Sequence, residues 1–409
     1  MSEQLSPALT VLSAAVACGI EQTGSSTVLH SAAPQRGAAG SSDDPTCPDG
    51  DWQHVIASAQ LHGVVGLVHE AFRAGFPAPR SAVQRLSELH NVDLRRAVRL
   101  SSELIRLLQL LDRHGVRAVP IKGPLLAQQC YGSLSRRSFW DLDLLLPPQS
   151  VTAARDALLE DGYLPEEAWG ARRLRRELRR NCEYNLDHRG RGVHVELHWR
   201  LVPRHIGFDC STQALLRRAR TTRFLGHELR VPAVEDQLLA LLIHHGGKHG
   251  WERLRMVADI AVLLRQPDLP PPALLLERAT GSGVRRILAT SVLLVDRLFA
   301  LAVDLQLLSA ARAEPGAKRL ADAAVARMER FDGITPEEGL SGLLTYLRSR
   351  ERLRDRLRYL PAAAAAVFTP GEHERKLLPL PRALRVVHAV VRPLRLLAKY
   401  ALKARTGSG

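Results

Sequence analysis

The chain has 409 residues, 45% of them hydrophobic, with 57 basic and 42 acidic side chains and a net charge of +15. That length accommodates two or three domains with sizeable cores, and the basic excess favours polyanions (nucleotides, nucleic acid or an anionic membrane surface) unless it is only an arginine-rich habit of the source proteome. No apolar run approaches the roughly 20 residues that span a bilayer, and the opening Met-Ser-Glu-Gln lacks the basic start of a signal peptide. The five cysteines (Cys18, Cys47, Cys130, Cys182, Cys210) form no C-x-x-C pair and are odd in number, which argues against a disulfide framework or a structural zinc site and for a reducing cytoplasm.

Residues 7–18 carry the pattern of a short helix, and Glu21–Asp51, rich in Gly, Ser, Ala, Asp and Pro, is expected to be flexible. From Trp52 the apolar spacing turns helical, with one or two long amphipathic helices over Ala82–Leu111 whose start Ser81 is placed to cap. His114-Gly115 ends that run, Val116–Ile121 reads as a short strand, and Gly123-Pro124 opens a helix. Asp141–Leu146 is a strand stopped by Pro147-Pro148, and Val151–Glu160 is a helix. Asn181–Asp187 and Gly192–Arg200 read as strands joined by a turn at 188–191. Arginines crowd 172–180, predicting a solvated segment that covers nearly every side of a helix. From Val234 the chain is almost wholly helical, and the tail from Leu380 to Ala404 is basic and amphipathic. No internal repeat is evident.

Three features carry chemistry. In a strand of period two, Asp141 and Asp143 share one face while Leu142 and Leu144 share the other. Two adjacent carboxylates are costly without a cation, and a hard divalent ion held partly by substrate phosphates suits them. In Val193–Trp199 the alternation sends Val193, Val195 and Leu197 to the core and His194, Glu196 and His198 to the opposite face, adding a third carboxylate, as a two-metal phosphoryl-transfer site needs. A plain solvent-facing strand and a mononuclear His-x-Glu-x-His zinc site are the competing readings of this stretch. Lys122-Gly123 stands at a strand-to-helix junction, where free amides and a positive dipole bind phosphate.

The order Lys122-Gly123, Tyr131-Gly132, Arg137, Asp141-x-Asp143 and Glu196-x-His198-Trp199 resembles the uncharacterised nucleotidyltransferase family of the DNA polymerase β superfamily. Bacterial members often lie beside natural-product and peptide-modifying gene clusters. The likeness runs from about Trp52 to the C-terminus and includes His245–Leu254, Asp259 and the tail motif Arg392–Leu396. It implies that Asp141, Asp143 and Glu196 bind two magnesium ions, with Glu196 assisting in activation of an acceptor hydroxyl. Lys122 and Gly123 would hold the β- and γ-phosphates, and Arg137 would neutralise phosphate charge. Lys-Gly replaces the Gly-Ser of better-studied superfamily members, and a longer stretch separates it from the aspartates. In the second block, Lys248 and His249 either point a basic face at the triphosphate or acceptor, or belong to a helix end loosened by Gly246, Gly247 and Gly250. Asp259 is expected to pair with Arg253 or Arg255 and takes no catalytic role.

The expected fold is α+β, a small mixed-sheet nucleotidyltransferase core flanked by helices. Its parts would be an N-terminal segment 1–51, a helical region 52–113, the core 114–205 and a large helical domain 206–409. The expected activity is transfer of an NMP from an NTP, such as ATP, to a small-molecule, peptide or protein acceptor. The alternative is a catalytically inactive relative that binds RNA or a partner peptide through its basic surface; nucleic acid is not the favoured partner. A third reading, membrane-surface association, rests on the tail.

Overall fold

A computed structural model describes residues 5–23, 52–330 and 340–368. Most of the segment expected to be flexible, the tail from Leu380 and the motif Arg392–Leu396 therefore lie outside the described residues. The chain divides into two compact units, Met1–Arg204 with Phe208–Glu351, and His205–Gly207 with Arg352–Gly409.

In the large unit, α1 (Pro7–Glu21) starts at Ser6, whose Oγ accepts from the Leu9 amide at 3.4 Å, with proline at the first helical position. α2 (Trp52–His62) and α3 (Val65–Arg73) follow. Next comes α4 (Arg80–Arg113), one unbroken helix of 34 residues and about 51 Å long at 1.5 Å per residue. Its start differs from expectation. Pro79 is the N-cap residue, and Ser81 lies inside the first turn without capping it. Leu86, Leu100, Leu104, Leu107 and Leu111 form its buried stripe.

The α/β core comprises β1 (Val119–Pro120), α5 (Gly123–Tyr131), β2 (Asp141–Leu145), α6 (Val151–Glu160), β3 (Leu164–Pro165), α7 (Ala171–Arg180), β4 (Glu183–His188) and β5 (Val193–His198). The strands form one mixed sheet in the order β1-β2-β5-β4-β3, in which only the β2–β5 pair is parallel. Leu142, Leu144, Val193, Val195 and Leu197 are all buried and join α4 and α6 residues in one core. The opposite sheet face, carrying the polar members of the alternation, is left for chemistry.

The next stretch, assigned from sequence to a helical region, contains α8 (Thr212–Arg218) and a hairpin of β6 (Arg220–Phe224) with β7 (His227–Val231). Its two-residue turn, Leu225-Gly226, has positive φ at both positions (48° and 86°), as a tight hairpin turn compatible with strand twist requires. α9 (Val234–Leu241) continues into a π-helical stretch, Leu242–Lys248. Then come α10 (Leu254–Leu263), α11 (Pro272–Ser282), α12 (Arg285–Phe299), α13 (Leu305–Ala313), α14 (Ala317–Glu329) and α15 (Leu340–Ser349). Gln237 of α9 donates Nε2 to the Ile121 carbonyl at 2.7 Å, tying the helical region to the segment that leads into α5. The four described cysteines are free. The small unit is built on α16 (Leu353–Phe368), where the Tyr359 ring lies 6.0 Å from that of His205. No helix among the described residues is long and apolar enough to cross a membrane.

Candidate active site

The parallel register of β2 and β5 sets Asp143 directly opposite Glu196 and Asp141 opposite His194. Period-two geometry then brings His198, the next residue on the same face of β5, to the same place. His198 Nε2 lies 3.1 Å from Asp143 Oδ1 and 2.9 Å from Glu196 Oε2. Asp143 is 2% exposed, Glu196 is half-buried, and their donor atoms with that of His198 all fall within 4.8 Å of one another. Asp141, half-buried at the head of β2, stands beside this set without belonging to it. Sequence reasoning placed His198 on the face and gave it a role only in the competing His-x-Glu-x-His zinc reading. The signal was there, in its spacing of two from Glu196.

Charge balance explains how so many acids share one pocket. Burial pushes the Asp143 carboxyl up, but Lys122 and the hydrogen bond from His198 outweigh it and hold the group below its usual value. For Glu196, burial is likewise overcome by hydrogen bonds from His194 and His198, leaving its carboxyl well below the ordinary range. Asp141 goes the other way, raised by burial and by the neighbouring Asp143 charge. His194, bonded to Glu196 and to Asp187 (Nδ1 to Oδ1, 2.9 Å), is raised to about 9.

Lys122 reaches this wall from the opposite side. It is the residue before α5, and its Nζ lies 2.6 Å from Asp143 Oδ1. Gly123 follows with φ of +60°, and a Cβ there would stand 3.2 Å from the Asp141 carbonyl oxygen. Glycine thus serves both the left-handed backbone and the close approach of the α5 N-terminus to β2. Lys122, Gly123, Asp143 and Glu196, singled out separately in the sequence, are brought together by the fold.

The second block comes close as well, but in another conformation than the α-helical spacing predicts. The His249 amide donates to the His244 carbonyl five residues back at 3.1 Å, so the chain makes a wide turn here. Gly246 and Gly247 are packing positions and not points of looseness. A Cβ on the first would meet Ile287 and Trp251 at 2.4 Å, and on the second Phe208 at 2.5 Å. Lys248 Nζ lies 3.7 Å from Glu183 Oε1, and His249 Nδ1 lies 3.6 Å from Glu252 Oε1. The His244 ring stands 4.5 Å from that of His249, and burial together with the nearby Lys122 charge keeps it neutral.

Arg137 requires a correction. It is not turned to a phosphate but is 4% exposed, with Nε 2.8 Å and Nη2 3.0 Å from the two oxygens of Asp259. Asp259, fully buried on α10, also accepts from Tyr131 Oη at 2.6 Å and from His245 Nε2 at 3.0 Å. With Nε2 donating to Asp259, a neutral His245 presents Nδ1 as an acceptor, 3.1 Å from His244 Nδ1. His244 therefore donates from Nδ1 and keeps a lone pair on Nε2. The cation on the Asp141 side of the pocket is Arg255, half-buried and donating to the Ser138 carbonyl at 2.6 Å; after the stronger Lys122 charge, it opposes the rise of the Asp141 carboxyl. Sequence reading instead set Arg253 or Arg255 against Asp259, whose partner is Arg137, because a charge at the start of a distant helix carries no local mark of the pocket it reaches.

The donor set fits a divalent cation. Asp143 Oδ2 is buried and has no hydrogen-bond partner, an unsatisfied anionic oxygen of the kind that proteins rarely leave without a ligand. Carboxylate oxygens predominate, as a hard ion prefers. No curated protein and no solved structure matches the chain. A family model described as an uncharacterised nucleotidyltransferase matches residues 48–300, which takes in the whole sheet, the Lys122 turn and the His244–Asp259 network. By sequence match and by architecture, the chain belongs to the uncharacterised nucleotidyltransferase family.

Proposed function

We propose that the chain is a magnesium-dependent nucleotidyltransferase that moves an NMP from an NTP, ATP among them, to a hydroxyl or phosphate acceptor. The acceptor would be a small molecule, peptide or protein of the kind modified in natural-product biosynthesis. The observation that carries this reading is the parallel pairing of Asp143 with Glu196, together with the buried, unpartnered Asp143 Oδ2. Asp141, Asp143 and Glu196 would hold two magnesium ions, which supply charge neutralisation of the triphosphate and lower the pKa of the acceptor.

The chain's own groups supply the rest. The amides at the start of α5 and the Lys122 ammonium bind phosphate oxygens, and Arg255 adds charge on the Asp141 side. His198 orients the Asp143 and Glu196 carboxylates through Nε2. The acceptor oxygen forms a bond to the α-phosphorus as the bond to the bridging oxygen breaks and pyrophosphate leaves. Glu196 would assist the acceptor proton as it leaves to solvent.

Incubation of the purified protein with magnesium and α-labelled NTPs, with and without lysate, tests the reading. Label transferred to an acceptor and lost in Asp141→Ala supports it. A second reading, an inactive relative that binds RNA or a partner peptide, draws on the arginine face of α7. Salt-sensitive RNA binding without label transfer would favour that alternative.

A further inference from the structure

The side of the His198 ring that turns away from the carboxylate pair has chemistry of its own. His198 is 2% exposed, and its Nδ1 is buried without a hydrogen-bond partner. It faces Glu183 Oε2 at 3.5 Å, and Glu183 is its register partner across the β4–β5 ladder. Cys182, 1% exposed, sits immediately before β4, with Sγ 3.3 Å from the same Glu183 oxygen. The Cys182 carbonyl accepts the Trp199 amide at 2.9 Å, which holds the end of one strand against the end of the other. The sulfur, carboxylate and imidazole donors all lie within 4.8 Å of one another.

We propose that Cys182, Glu183 and His198 form a transition-metal site, suited to zinc, that backs onto the carboxylate pair. A sulfur–nitrogen–oxygen donor set selects a borderline-soft ion over magnesium. Donors around a tetrahedral zinc stand roughly 3.3–3.8 Å apart for bonds of about 2.0–2.3 Å. The set therefore closes by movements of about 1 Å, which fall to the half-buried Glu183 side chain, whose other oxygen stays 3.7 Å from Lys248 Nζ. A metal-bound imidazole donates its other N–H to a carboxylate as a rule, and here Nε2 faces Asp143 Oδ1 and Glu196 Oε2.

Zinc on Nδ1 thus fixes Nε2 as the donor and holds both carboxylates in place. On binding, the Cys182 thiol releases its proton to solvent and the sulfur–zinc bond forms, with no change in oxidation state. Three protein ligands leave a fourth position for water. The chain has no local C-x-x-C pair, but these ligands come together from two paired strands. Zinc binding at this site does not require nucleotide transfer at the other.

Cobalt titration of the reduced, metal-free, full-length protein in saturating magnesium is the test. The expected result is one equivalent of cobalt giving a thiolate-to-cobalt charge-transfer band, displaced by one equivalent of zinc. Cys182→Ser should abolish the band and weaken zinc binding at least roughly tenfold, with an unchanged circular dichroism spectrum. Glu183→Gln should keep the band and bind zinc more weakly. Absence of the band, or its survival in Cys182→Ser, overturns the proposal, as does zinc affinity unchanged in both variants.

Discussion

Asp143 is bordered by Lys122 on one side and His198 on another, yet one of its oxygens has no partner. Replacing it with asparagine keeps the shape and removes the charge. Because a bound metal contributes several kcal/mol to transition-state stabilisation, Asp143→Asn should lower label transfer by roughly a thousandfold while the circular dichroism spectrum stays unchanged. Full activity in that variant would sink the metal assignment. Gly123→Ala tests the adjoining turn. Alanine in the left-handed region costs about 1–2 kcal/mol, and its Cβ would press on the Asp141 carbonyl. Denaturant unfolding should show a loss of that size, with a several-fold rise in the KM for NTP. The carboxylates were legible in the sequence because a period of two is a local property. Arg137 was not, since its partner Asp259 lies far along the chain and only packing brings the two together.

Among the helices, the start of α10 carries a pH-sensitive contact. The Leu254 amide donates to His62 Nδ1 at 3.2 Å, a bond that requires a neutral imidazole. Burial first, and then the nearby Arg253 charge, lower this histidine to about 4. Its folded value therefore lies below the ordinary one of about 6.5, so its stabilising contribution is present above that pH and is lost as pH falls toward 4. The loss by pH 5 should be roughly 2 kcal/mol. His62→Gln, which keeps an acceptor but cannot titrate there, should flatten the dependence of unfolding free energy on pH between 6.5 and 4; an unaltered slope would refute the assignment. Most helices were legible from apolar spacing near 3.6. The π-helical Leu242–Lys248 was not, because its wider turn is set by Trp251 and Ile287 filling the space above Gly246. Nor was the hairpin of β6 and β7, whose Leu225-Gly226 turn lacks the usual Asn-Gly mark.

Across the whole molecule, the net charge of +15 finds a focus on α7. Arg172, Arg175, Arg176, Arg179 and Arg180 line one surface concavity, while Leu174 and Leu178 turn to the core. The sequence reading spread these arginines around the helix, but spacings of three and four put them on one face. A single-stranded polyanion lying across all five should release counterions with a log–log salt slope of roughly −3.5. Arg175→Gln with Arg179→Gln should bring that slope to about −2 and leave transfer to small acceptors unchanged. An RNA-binding titration across salt concentrations checks this, and a slope unmoved by the double substitution would locate polyanion binding elsewhere.

The junction of Arg137 with Asp259 has a consequence for how the protein is made. The guanidinium belongs to the loop that leads into β2, but its counter-ion is translated 122 residues later. At about 5–20 residues per second, the ribosome leaves that loop on the order of 10 s without its anchor. The pocket beside β2 in a nascent chain therefore stays unlatched until α10 emerges, and its assembly is timed by the far side of the molecule.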